Sequence, residues 1–249
     1  MGREDSMKAR CEIVAEAGIN HSGDMIKALE MVRTAKLMGA DTVKFQLVDP
    51  NFYPEGTELY EIFKRTYLSA KDHWILKQEA DRIGIKYLCT PSDVNKAMEL
   101  VEQVGVNRLK VASDSADNDI FLDYMKKTGF EIIISTGGLT DKQKFKTFVE
   151  HLADWKERVT VLHCVSKYPC PDKDADLSRI TGLGMFFPRV GYSDHTQGIQ
   201  AAPIAVALGA QIIEKHFKLD EEGVDAPLSL LPGDFWQMVK LIRNAESML

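Results

Sequence analysis

Short β-branched runs alternate with longer amphipathic stretches along this whole chain, and that alternation restricts its fold more than any other feature. The runs are 12–17, 42–46, 86–90, 108–112, 131–135, 160–163, 190–193 and 211–216, eight in all. Helical stretches lie between them. One covers 24–38, with Ile26, Leu29, Val32 and Ala35 at helical spacing and Gly39 placed to end it. Another starts near Asp93, carries Val94, Ala97, Val101 and Val104, and closes at Gly105; the last begins after Pro232 and buries Phe235, Val239 and Ile242. Such alternation implies parallel strands with helices outside, and eight units close into a single (β/α)8 TIM barrel. A doubly wound open sheet competes, but it calls for a glycine-rich phosphate loop after the first strand, and GINHSG is not one. The 249 residues fit one such barrel, for which about 250 is typical. No linker or low-complexity segment marks a boundary. The expected organisation is a disordered or flexible head over 1–10 and a catalytic barrel over 11–249. Two long connections, 47–67 and 168–177, follow strands and so belong on the catalytic face.

Composition excludes several classes. The net charge of −6 is spread through the chain, without the clustered basic face of a nucleic-acid-binding protein. No apolar stretch approaches the roughly 20 residues of a membrane span. The four cysteines form no disulfide framework. Cys11, Cys89 and Cys164 lie in or beside apolar runs, as buried free thiols do, and Cys170, in a loop after Pro169, is expected to be exposed. The pattern fits a reducing cytoplasm. The opening MGREDS formally matches an acylation pattern at Gly2 and Ser6, but it is charged, ends at Met7, and reads as part of the head.

Each strand run begins apolar and ends polar: Glu16 to His21, Lys44 and Gln46, Thr90 and Ser92, Lys110 and Ser113, Ser135 and Thr136, His163, Asp194 and His195, Glu214 and His216. In a barrel these ends meet at one mouth, and burying them is costly unless each has a partner or a ligand. Period-two alternation puts Thr42, Lys44 and Gln46 on one face with Val43 and Phe45 on the other. By the same rule Lys110 opposes Leu109 and Val111, and Glu214 and His216 point one way while Lys215 points to the helix layer. A lysine at the mouth can anchor an anion, form a Schiff base or pair with a glutamate. Lys44 and Lys110, beside Thr90, Ser113, Ser135 and Thr136, favour a phosphate or carboxylate ligand, which backbone N–H groups at Gly137 and Gly138 can approach. His195 and His216 end neighbouring strands. They either share one divalent ion, with Glu16 closing the ring, or bond within their loops. His163 is a third ligand or a hydrogen-bond donor; His73 and His151, in helical stretches, are expected at the surface.

Eight motifs, EAGINHSGD, VKFQ, YLCTPSD, LKVASDSADN, IISTGG, LHCVSKYPCP, GYSDHT and EKHF, occur in this order, and by them the chain resembles the sialic acid synthase family from about Cys11 to its last helix. The resemblance implies an enzyme, a transferase that condenses phosphoenolpyruvate with an N-acetylmannosamine-like aldose and releases phosphate by C–O cleavage. It implies that Lys44, Thr90, Lys110, Ser113, Ser135 and Tyr168 hold phosphoenolpyruvate, and that His195 and His216 bind Mn²⁺ or Mg²⁺. Glu16 would orient or deprotonate the water attacking C2, and Asp225 would bind acceptor hydroxyls. Three departures concern the acceptor. The family's C-terminal antifreeze-like domain, which hands an arginine to a partner subunit, is not within this sequence; Ser115 stands where a glutamate is usual, and Ser166 where an asparagine is usual. Three other readings compete. One is a 3-deoxy-ulosonate phosphate synthase with a phosphorylated acceptor near Lys167, Lys173 or Arg179. The others are a Schiff-base aldolase through Lys110 or Lys44, and a barrel that binds without turnover. The expected partners are small molecules, with a homo-oligomer open and neither nucleic acid nor membrane involved.

Overall fold

The computed structural model describes residues 10–249; the acylation pattern at Gly2 and Ser6 lies outside them. The chain runs β1 (Glu12–Gly18), α1 (Met25–Leu37), β2 (Thr42–Leu47), α2 (Glu58–Thr66), α3 (Ala70–Ile83), β3 (Lys86–Pro91), α4 (Val94–Glu99) and β4 (Arg108–Val111). It continues α5 (Asp119–Thr128), β5 (Glu131–Ser135), α6 (Lys142–Leu152), β6 (Val159–Cys164), α7 (Ser178–Leu183), β7 (Val190–Asp194), α8 (Ala201–Ala207), β8 (Ile212–His216) and α9 (Pro232–Glu246). The ladders join the strands in the order β3-β2-β1-β8-β7-β6-β5-β4, all parallel. The end strands β3 and β4 lie side by side. The fold is the expected (β/α)8 barrel.

Local chemistry sets the helix starts. Asp24, Asp93 and Asp141 accept from the first free N–H groups of α1, α4 and α6, and Ser69 with Asp72 forms a capping box on α3. Two expectations change in detail. The periodic stretch after Asp93 is not one α-helix: α4 widens at Leu100–Val104 into a π-turn that Gly105 closes. The connection 47–67 is not plain loop, because it holds a 3₁₀ turn at Pro50–Phe52 and the whole of α2.

The barrel interior is layered. Arg108 and Glu12 plug its base with a bidentate pair at 2.6 and 2.9 Å. Val14, Leu88, Ile133, Leu162 and Ile212 form an apolar middle layer. Gly191 belongs to this layer by necessity, since a Cβ there would stand 2.5 Å from the Ile212 carbonyl and 2.6 Å from Leu162. Above lies the polar mouth. Outside, Val43, Phe45, Leu109, Val111 and Ile213 pack beneath the helices, the faces that alternation assigns them.

Two side chains expected at the surface are buried. His73 on α3 is fully buried, with Nδ1 2.6 Å from the Tyr87 hydroxyl and its ring edge-on to Phe45. Cys170 is buried because the chain after Tyr168 folds back, its N–H donating to the His195 carbonyl at 2.8 Å. His151 is only partly exposed, between Asp119 and Asp123. All four cysteines are free thiols. Among the described residues no helix is long and apolar enough to cross a membrane.

Candidate active site

A cavity of about 190 Å³ opens at the carboxyl ends of the strands. Register explains which side chains meet there. Glu16 on β1 pairs with Lys44 of β2 on one side and with His216 of β8 on the other, so one rung carries all three. The adjoining ladder sets Ser193 of β7 opposite Glu214 of β8. Lys110 enters from β4, Thr90 from β3 and Ser135 from β5.

Lys44 is the centre of the charge network. Its ammonium lies 2.9 Å from Glu16 Oε2 and 2.8 Å from Glu214 Oε2, with all three side chains buried. Lys110 Nζ is 3.5 Å from Glu214 Oε1, which also accepts from Ser193 Oγ at 3.0 Å. Gln46 Nε2 donates to Glu16 Oε1 at 3.1 Å. Burial pushes Lys44 down to about 8, against the pull of Glu214 and with the push of Lys110. Burial works against charge on Glu214 too, yet Lys110 and Lys44 together hold its carboxyl well below the usual range. Two ammonium groups thus face two carboxylates. Beside them the hydroxyls of Thr90 and Ser135 are buried without a hydrogen-bond partner. Orphaned polar groups in a cavity signal a ligand that satisfies them.

The histidine pair stands at the same mouth. The rings of His195 and His216 are 5.5 Å apart, centroid to centroid. His195 Nδ1 lies 2.9 Å from the Val165 carbonyl, which calls for the Nδ1–H tautomer and leaves the Nε2 lone pair free. His216 Nδ1 faces Asp225 Oδ2 at 3.4 Å. Gly18 makes that approach possible: its φ is +54°, and a Cβ there would sit 2.6 Å from Asp225 Oδ2. Burial lowers His216 below the ordinary imidazole range, although Asp225 opposes it. His195 thus has a hydrogen-bonded oxygen behind Nδ1, the arrangement that orients histidine ligands of metals, while His216 Nδ1 has only the longer contact with Asp225 and no hydrogen bond. Among the described residues no group of three or more His, Cys, Asp or Glu is assembled for an ion. A cation on this pair would complete its shell with water or substrate.

The other candidates divide. Ser113 and Tyr168 line the cavity, the Tyr168 ring 4.2 Å from that of His195. Thr136 and Gly137 do not line it: Thr136 Oγ1 bonds the Leu162 carbonyl, and the Gly137 N–H donates to Ser113 Oγ at 3.0 Å. Of the two backbone donors expected for an anion, the Gly137 N–H is thus already used, and Gly138 does not line the cavity. His163 is no ligand candidate, because its Nε2 lies 2.7 Å from the Ala175 carbonyl and its ring stacks on Tyr192. Asp225 lines an adjoining groove of about 380 Å³, with Ile19, Leu59, Ile62, Val224 and Leu228; Gln46, Tyr53, Phe63, Tyr168 and His216 belong to both spaces. Glu214, Gln46 and Ser193 join the site, and alternation had already set the first two facing inward. Tyr53 and Phe63, stacked 5.3 Å apart, come from the connection that holds α2; the helical spacing of Leu59, Ile62 and Phe63 is the signal that could have found the second.

Known proteins place this geometry in a family. Residues 31–249 match the model of the NeuB family. An uncharacterized protein, MJ1065, of Methanocaldococcus jannaschii is 41% identical over 95% of this chain and 71% of its own. The N,N'-diacetyllegionaminic acid synthase of Legionella pneumophila is 36% identical, over 96% of this chain and 73% of its own. The crystal structure of an N-acetylneuraminic acid synthetase from Leptospira borgpetersenii, in complex with citrate, superposes with a TM-score of 0.91 at 33% identity, covering 96% of this chain and 85% of that one. The chain belongs to the NeuB family and is an enzyme of its synthase type.

Proposed function

We propose that this chain is a divalent-metal-dependent transferase that joins phosphoenolpyruvate to an N-acetylmannosamine-like aldose, forming a nonulosonic acid and releasing phosphate. One observation carries the reading: a single cavity holds two buried ammonium groups, two buried hydroxyls without partners, and a histidine pair. Lys110 and Lys44 supply charge for the phosphate and carboxylate, and Thr90, Ser135 and Ser113 supply neutral donors. Glu16, held through both oxygens by Lys44 and Gln46, orients or deprotonates the water that attacks C2 while C3 bonds the aldehyde carbon. Phosphate then leaves by C–O cleavage. The residues fit a divalent ion, Mn²⁺ or Mg²⁺, on His195 and His216, where it would supply a Lewis acid for the aldehyde oxygen. Charge supports the same assignment. Lys44 and Lys110 already face Glu16 and Glu214, so a multiply charged anion needs further positive charge to settle there.

The acceptor side favours a sugar without phosphate. Among the described residues Lys44 and Lys110 are the only lysines or arginines lining either the cavity or the groove. Lys167 pairs with Asp174 at 2.6 Å on the surface, and neither Lys173 nor Arg179 lines the site. The groove sets the Asp225 carboxylate for hydroxyls beside Ile62, Phe63 and Val224, apolar surface suited to an acylamino methyl. The buried free thiols agree with a cytoplasmic location.

A phosphate-release assay with phosphoenolpyruvate and Mn²⁺ across an aldose panel tests the proposal. Release is expected with N-acetylmannosamine or a diacetamido analogue, and a chelator should stop it. Metal-independent release, or release only with phosphorylated sugars, contradicts it. The lowered Lys44 favours a second reading, a Schiff-base aldolase; borohydride trapping of pyruvate on Lys44 would establish that one instead.

A further inference from the structure

The residues immediately before the two histidines are themselves joined. Asp194 and Lys215 face each other on the last rung of the β7–β8 ladder, and their side chains point outward, away from the cavity. The Lys215 ammonium is 3.0 Å from Asp194 Oδ2, and both side chains are fully buried. The same two groups grip the residue after His195. Asp194 Oδ1 accepts from the Thr196 N–H at 2.8 Å and from its hydroxyl at 2.7 Å, while Lys215 Nζ donates to the Thr196 carbonyl. His195 is thus clamped on both sides to the strand that carries His216.

Stability does not explain such a pair. A buried ion pair gains little over apolar residues of the same volume, because desolvation offsets the attraction, and its best attested use is to specify geometry. We propose that Asp194, Lys215 and Thr196 are positioning residues that fix the spacing and orientation of His195 and His216 for a divalent cation. The inference rests on the metal reading of those histidines given above.

The test uses the full chain and Mn²⁺ alone, with binding followed by electron paramagnetic resonance beside thermal melts. Single substitutions would strand a buried charge, so the informative variant is the double replacement Asp194→Leu with Lys215→Met. It is expected to melt near the wild type yet to bind Mn²⁺ about 10- to 100-fold more weakly, the range for lost ligand-orienting partners. Thr196→Val, which removes only the hydroxyl bond, should weaken binding in the same direction, and Thr196→Ser should restore it. Wild-type affinity in the folded double variant overturns the proposal. If the double variant does not fold, wild-type affinity in Thr196→Val overturns it alone. Should the wild type bind no Mn²⁺, or His195→Ala and His216→Ala bind it unchanged, the metal reading fails and the positioning role falls with it.

Discussion

Lys44 carries opposing demands on one nitrogen. Burial lowers its affinity for a proton to about 8, while Glu214 and Glu16 hold the ammonium in place. Between about 8 and the ordinary 10.5 the unfolded chain binds the proton that the folded chain has released, so this group makes stability rise with pH across that window. Activity should move the other way, since an anion needs the ammonium. We expect kcat/KM for phosphoenolpyruvate, which reports the free enzyme, to fall above about pH 8, and Lys44→Arg to move that limb to higher pH. A pH-rate profile that stays flat to pH 10 would contradict the assignment. Lys110 tests the anion site from the other side. Lys110→Ala removes charge-assisted hydrogen bonds of about 1.5–3 kcal/mol, so calorimetry should find phosphoenolpyruvate binding weakened about 10- to 100-fold. The acceptor KM should change far less; equal effects on both would place Lys110 outside the anion site.

Elements differ in how openly they declare themselves. The strands β2, β4 and β8 were legible because strict two-residue alternation separates Lys44, Lys110, Glu214 and His216 from the apolar residues between them. Helix α2 was not, although Leu59, Ile62 and Phe63 fall at helical spacing, because its nine residues follow Pro54 and Gly56 inside a connection between strands and read as loop. His73 misled for another reason. A histidine in a helix reads as surface, and only the packing of α3 over β2 and β3 reveals the Tyr87 hydroxyl that receives it. Burial holds His73 near 3 and His21 near 4, and neither ring has a partner at Nε2. Both are neutral in the folded chain, whereas the unfolded chain protonates them from about 6.5 downward. Stability is therefore fully present above 6.5 and is lost as pH falls towards 4 and 3. Each group contributes up to about 1.4 kcal/mol per pH unit. Denaturant unfolding at pH 7 and pH 5 should show this loss, and His73→Leu should flatten the dependence; an unchanged slope would contradict the account.

At the scale of the molecule, closing eight strands turns residues scattered from Glu16 to His216 into one rung and its neighbours. The barrel, the histidine pair and the inward lysines could be read from the chain. The pairing of those lysines with Glu16 and Glu214 could not, because ion-pair partners on different strands leave no local pattern. The Gly137 N–H, free by the sequence alone, is engaged for the same reason, its partner being Ser113 on another strand's loop. The cavity lining sets the carboxylates of Glu16, Asp114 and Glu214 against the ammonium groups of Lys44 and Lys110, and the central claim of the proposed function is that phosphoenolpyruvate binds there only together with a divalent cation on His195 and His216. Coupling between two ligands is reciprocal in free energy. Calorimetric titration of phosphoenolpyruvate with and without Mn²⁺ therefore tests the claim most directly. The account predicts binding at least about 10-fold tighter with Mn²⁺ present, of order 1.4 kcal/mol of coupling, and loss of that gain in His216→Ala. Equal affinity with and without the metal would contradict it.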